Sequence, residues 1–165
     1  MTQGHQCIEF VLATGLGNDT VRVGSTTGNL GPIEGVLDLF DSSLNALVGR
    51  LTVDGGAGAA DTLKVYDGGD NSREAGTLTA STLTGMGMQG ITYSGFDVLK
   101  IWLSNGDNPF YVANTHGGVT FIDAGDEQAV VNGVNDVINI ERISGPTTID
   151  AGQGNDTIRV NFNAQ

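Results

Sequence analysis

The sequence predicts an all-β chain, arranged as a right-handed parallel β-solenoid of irregular coils, with a β-sandwich as the alternative. Three observations predict it. A five-residue strand motif recurs along the chain, apolar residues alternate with period two, and glycine-rich turns separate the strands. A repeated unit of this size cannot bury its own apolar face, so copies of it must stack.

The motif first appears as Asp19-Thr20-Val21-Arg22-Val23. It returns as Asp61-Thr62-Leu63-Lys64-Val65, Asp97-Val98-Leu99-Lys100-Ile101, Asp136-Val137-Ile138-Asn139-Ile140 and Asp156-Thr157-Ile158-Arg159-Val160. Alternation puts Leu63 and Val65 on one face and Lys64 on the other, since successive strand side chains point to opposite faces. The same rule turns Leu99, Ile101 and Leu103 inward and Lys100 and Trp102 outward. It also predicts Ile158 and Val160 buried and Arg159 exposed. Leu37-Asp38-Leu39-Phe40 is a degenerate copy. Residues 35–48 have some helical spacing, but Asp41-Ser42-Ser43 interrupts it, and strand, turn, strand is the better description. A second motif, Val53-Asp54-Gly55-Gly56, returns as Ile122-Asp123-Ala124-Gly125 and Ile149-Asp150-Ala151-Gly152.

Further strands are expected where Thr and β-branched residues concentrate: Thr77 to Thr84 and Val119 to Ile122. Phe110 and Tyr111 lie on another strand, and the pattern does not decide their facing. Asp67 to Gly76 is polar with no apolar partner and should be the least ordered stretch. Glycine turns are expected at Gly17, Gly58, Gly125 and Gly154. Residues 1–10 are a lead-in, and 11–165 form one repeat-built domain. At about 4.8 Å per coil, six or so coils would rise roughly 30 Å.

Charge excludes several functions. The net charge is -12, from 7 Lys plus Arg against 19 Asp plus Glu. Such a field repels phosphate backbones and anionic lipid and gathers divalent cations. Nucleic acid is therefore not an expected partner. No apolar run approaches the ~18 residues of a membrane span. Cys7 is the only cysteine, which rules out an internal disulfide. Met1 to Gln6 lacks the basic-then-apolar pattern of a Sec signal.

Thr14-Gly15-Leu16-Gly17-Asn18-Asp19-Thr20-Val21 and Ala151-Gly152-Gln153-Gly154-Asn155-Asp156-Thr157-Ile158 resemble the nonapeptide of haemolysin-type (RTX) calcium-binding repeats. The longer pattern is similar to the β-strand repeats of large secreted or surface proteins of bacteria. This resemblance implies an extracellular or cell-surface setting, a calcium-stabilised solenoid, and an adhesive or scaffold role. The chain departs from it in spacing, because the matches lie tens of residues apart. Gly55 to Asp61 carries one residue too many. Asn132-Gly133-Val134-Asn135-Asp136 lacks a glycine.

Candidate metal residues are Asp19, Asp61, Asp136 and Asp156, with Gly17 and Gly154 in the turns before them. Calcium takes six to eight oxygens, and glycine turns let carbonyls converge with carboxylates. The competing account is that each Asp accepts backbone N–H groups where a strand starts. For Asp54, Asp123 and Asp150 the turn-forming role is preferred. Phe40, Tyr66 and Trp102 form a candidate ligand face, whose plain alternative is a covered aromatic ladder. Four of the basic residues, Arg22, Lys64, Lys100 and Arg159, share one place in the repeat and offset nearby acids or face an acidic polysaccharide.

No Ser or Cys stands with a His and an orienting acid, and no carboxylate pair stands out from the repeat. The expected function is therefore non-enzymatic: a structural or adhesive repeat module, with calcium as its cofactor. The alternatives are a carbohydrate-binding or polysaccharide-lyase-like module and a self-assembling filament or matrix subunit. The partners would be neighbouring repeats, copies of the chain itself, or polysaccharide.

Overall fold

The computed structural model describes residues 9–24, 36–39, 43–125 and 135–161, with backbone only for 36–39. Fourteen strands are present, and no helix occurs among the described residues. In chain order they are β1 (Phe10–Ala13), β2 (Thr20–Val23), β3 (Val36–Leu39), β4 (Leu51–Asp54), β5 (Thr62–Tyr66), β6 (Gly76–Leu78) and β7 (Thr82–Gly85). Then follow β8 (Met88–Ser94), β9 (Val98–Trp102), β10 (Pro109–Val112), β11 (Val119–Asp123), β12 (Val137–Ile140), β13 (Thr147–Asp150) and β14 (Thr157–Val160).

They form two sheets. The larger runs β1-β4-β8-β7-β6-β10-β12-β14, and the smaller runs β13-β11-β9-β5-β2-β3. The smaller sheet is parallel throughout, with Thr20, Thr62, Val98 and Val119 in line across β2, β5, β9 and β11. One hydrophobic cluster joins both sheets. Val21, Leu63, Leu99 and Ile122 come from the smaller sheet, and Val53, Ile91, Phe110 and Ile138 from the larger. The all-β expectation therefore holds, with two sheets sharing a core.

The expectation of a right-handed parallel β-solenoid is corrected. The larger sheet is mixed, because β7 pairs antiparallel with both β6 and β8, and the two-sheet arrangement is that of a sandwich. The cause is local. The stretch Thr77 to Thr84, expected as one strand, folds back on itself at Thr79 to Thr82. There Thr79 N–H donates to Thr82 O (2.8 Å) and Thr82 N–H to Thr79 Oγ1 (2.9 Å). A second reversal follows at Gly85, Met86 and Gly87, all with positive φ (84°, 52° and 66°). Short connections of this kind join antiparallel strands, whereas parallel neighbours need a crossover. A run of Thr reads as strand at any register and does not show where it turns.

Burial follows the period-two rule wherever a strand is covered. Leu63, Val65, Leu99, Ile101 and Leu103 are buried, and Lys64, Lys100 and Trp102 are half-exposed. At β14 the expectation fails: Ile158 is 45% exposed and Val160 53%. Among the described residues this strand is the last of its sheet, paired only to β12. Alternation sets which side chains share a face, and a covering neighbour is what makes that face interior.

Glycine is required at particular points. Gly24 has φ +74°, and a Cβ there would lie 2.0 Å from Tyr66 O. Of the four expected turn glycines, Gly17, Gly125 and Gly154 have positive φ (122°, 112° and 142°). Gly58 is needed instead for close approach, since its Cβ would lie 2.0 Å from Gly17 O.

Candidate calcium site

The motif aspartates line up in two rows, one on each sheet. In the first, Asp19 N–H donates to Asp61 Oδ1 (2.7 Å), and Asp61 N–H donates to Asp97 Oδ2 (2.9 Å). In the second, Asn108 N–H donates to Asp136 Oδ1 (2.7 Å), and Asp136 N–H donates to Asp156 Oδ1 (2.9 Å). The carboxylates of Asp61, Asp97, Asp136 and Asp156 thus cap the backbone of the strand beside them. Main-chain bonds run along the same lines, as from Thr62 N–H to Asp19 O (2.8 Å) and from Val98 N–H to Asp61 O (3.0 Å). These four carboxylates accept a backbone N–H where a strand starts, but from a neighbouring strand 20 to 42 residues away and not within a local turn.

This capping does not use every oxygen. Asp61 is fully buried, and its Oδ2 has no hydrogen-bond partner. The same is true of Asp19 Oδ2, on the strand beside it. A buried carboxylate oxygen without a donor is costly, and buried polar atoms are normally satisfied. The two acids stand on strands spaced by roughly 4.8 Å, with like charge.

The turn completes the arrangement. The point where a Gly58 Cβ would stand is 2.0 Å from Gly17 O and 2.4 Å from Asp61 Oδ2. A carbonyl and a carboxylate oxygen therefore converge beside the first row, and the absence of a side chain at Gly58 lets them do so. These are hard oxygens, the donor type that calcium takes. Of the expected metal residues, the structure brings Gly17, Asp19 and Asp61 together. Asp136 and Asp156 pair in the second row, and Gly154 lies in the exposed turn before Asp156. Asp97 belongs to the first row and was missed as a site residue, although its place at the head of a motif copy was the signal for it.

The second motif does other work. Asp54 Oδ1 accepts Gly56 N–H (3.1 Å), Asp123 Oδ1 accepts Gly125 N–H (3.1 Å), and Asp150 Oδ1 accepts Gly152 N–H (3.2 Å). These are turns closed two residues on, as the preferred reading had it.

On the outer face of the smaller sheet, Arg22, Lys64 and Lys100 stand opposite one another in register across β2, β5 and β9. Burial, with the charges of Arg22 and Lys100, lowers the Lys64 ammonium below its ordinary value. Tyr66 and Trp102 occupy the same face two residues on. Their rings stack at 4.3 Å between centroids and 12° between planes. Lys100 Nζ lies 5.2 Å from the centre of the Phe121 ring. Phe40, the third member of the expected ligand face, lies outside the described residues.

No described helix is long and apolar enough to cross a membrane. Compared with known proteins, the chain matches no family model, no curated sequence and no solved structure.

Proposed function

We propose that this chain is a structural or adhesive repeat module of a secreted bacterial protein, and that calcium rigidifies it. The observation that carries this reading is the first aspartate row, where buried Oδ2 atoms of Asp19 and Asp61 lack partners beside a glycine turn. Calcium would be held by Asp19, Asp61 and the carbonyl of Gly17. It would neutralise the row and lock adjacent strands in register. Bound only by the folded chain, it stabilises by RT ln(1 + [L]/Kd), about 2.7 kcal/mol at a hundredfold excess over Kd.

The test is thermal melting in EDTA, in magnesium and in calcium at equal ionic strength. Calcium should raise the Tm by roughly 5–10 °C over EDTA, at about 2–4 °C per kcal/mol for a chain of this size. Magnesium should do much less, because it dehydrates reluctantly and demands a tight octahedron. The magnesium arm controls for simple screening of a net charge of -12. Equal melting in all three solutions overturns the reading.

A second reading rests on the outer face of the smaller sheet: binding of an acidic polysaccharide. Three like charges in adjacent register repel one another, and an anionic ligand laid along them relieves that repulsion. Here the row stands beside Tyr66, Trp102 and Phe121, in a chain that is otherwise strongly acidic. The double variant Lys64→Gln/Lys100→Gln should weaken binding to an immobilised uronic-acid polymer at least about tenfold at low salt, the equivalent of about 1.4 kcal/mol. Retention that is the same for both proteins, or none by either, removes this reading.

A further inference from the structure

Asp67, Asp70 and Glu74 lie in the polar run that the sequence presents as a loose loop. The structure ties that run down. Asp67 N–H donates to Trp102 O (2.9 Å), Asp70 N–H to Asp67 O (2.9 Å), and Asn105 N–H to Asp70 O (2.7 Å). Ser104 Oγ donates to Ser72 O (2.8 Å). One ligand atom from each of the three acids falls within 4.8 Å of the other two.

Two of these acids are incompletely satisfied. Asp67 is 0% exposed. Its Oδ1 accepts the Leu44 N–H at 2.8 Å, and its Oδ2 is buried with no partner. Glu74 Oε2 is also buried with no partner. Asp70, by contrast, is held in place: its Oδ1 accepts Ser72 N–H (2.7 Å), and its Oδ2 accepts from Asn45 Nδ2 and, at 3.5 Å, from Ser43 Oγ. Glycine again opens the space. A Cβ at Gly87 would lie 2.7 Å from Glu74 Oε1 and against the Asn45 amide oxygen. Three distant segments thus meet here: residues 43–45, 67–74 and the turn at Gly87.

We propose that Asp67, Asp70 and Glu74 form a second calcium site, outside the repeat motif, which staples the 43–45 segment to the 67–74 loop. Calcium–oxygen distances of about 2.3–2.6 Å allow ligands up to roughly 5 Å apart across the ion. The three carboxylates meet that limit, and the side-chain oxygen of Asn45 lies beside the same Gly87 position as Glu74 Oε1. Magnesium, at about 2.0–2.1 Å, needs its ligands closer together. A cation answers the defect that the protein groups leave: two buried carboxylate oxygens, Asp67 Oδ2 and Glu74 Oε2, in one cluster and without a hydrogen-bond partner. Burial, reinforced by the charges of Glu74 and Asp70 against the Leu44 N–H, lifts the Asp67 carboxyl to about 7. Burial and the charge of Asp70, against a hydrogen bond from Asn45, also raise Glu74.

The test is calorimetric titration of calcium chloride into the whole chain after EDTA treatment and desalting. Four proteins are compared: wild type, Asp67→Asn, Glu74→Gln and Asp61→Asn. Asp67→Asn should lose one binding equivalent, Glu74→Gln should weaken that equivalent at least about tenfold, and Asp61→Asn should retain it. Far-UV circular dichroism checks folding, and the half-exposed Glu74 decides the matter should Asp67→Asn not fold. The inference is overturned by unchanged stoichiometry and affinity in Glu74→Gln, by magnesium binding the site as well as calcium, or by loss of the same equivalent in Asp61→Asn. Because Asp61 belongs to the repeat row, this result is separable from failure of the repeat site.

Discussion

Phe110→Ala should lower stability by about 3–5 kcal/mol, the usual cost of emptying a buried aromatic position. For a chain of this length that is a fall in Tm of roughly 10 °C or more. Phe110 is 1% exposed and sits on β10, between β6 and β12. Its ring lies over Gly76 so closely that a Cβ there would stand 2.6 Å from two ring carbons. The glycine exists for the ring, and removing the ring leaves a cavity that a bare backbone cannot refill. The site is also where the antiparallel hairpin joins the parallel part of the sheet, so the loss falls on the junction. Tyr111, on the opposite face and 41% exposed, provides the comparison. Tyr111→Ala should shift the Tm by no more than a few degrees. A Phe110→Ala shift as small as that of Tyr111→Ala would show that β10 does not carry the core.

The facing of Leu63, Val65, Leu99 and Ile101 was legible in the sequence, because alternation is a property of the strand itself. The exposure of Ile158 and Val160 was not, because it depends on what lies beyond β14. The reversal at Thr79 to Thr82 was hidden for a different reason. Its turn is closed by threonine side chains (Thr79 Oγ1 and Thr82 Oγ1 lie 2.6 Å apart), and threonine is also a strand former. Asp19 and Asp61 are candidates on the motif alone, and their stacking follows from it. What the motif could not show is that its copies divide between two sheets, with Asp19, Asp61 and Asp97 in one row and Asp136 and Asp156 in the other. The Asp67 cluster was invisible as a site. Its closure depends on Leu44 and Asn45, more than twenty residues earlier, and on Gly87, more than ten later.

Asp61→Asn should separate the turn-forming role of the row from its metal role. The amide keeps an oxygen to accept the Asp19 N–H, which is what Asp61 Oδ1 does at 2.7 Å. It removes the anionic Oδ2, the buried atom that has no partner. In EDTA the two effects oppose each other. The hydrogen bond to a charged acceptor weakens, by about 1 kcal/mol, while a buried charge disappears from a row of like charges. The melting temperature without calcium should therefore move by no more than about 4 °C in either direction. In calcium the variant should fall well below wild type, because about 2.7 kcal/mol of binding free energy is lost at a hundredfold excess of ion. Some response to calcium should persist through the Asp67 cluster, and the double variant Asp61→Asn/Asp67→Asn should abolish it. A calcium increment of the same size in wild type and Asp61→Asn would mean that the row caps strands and does nothing more.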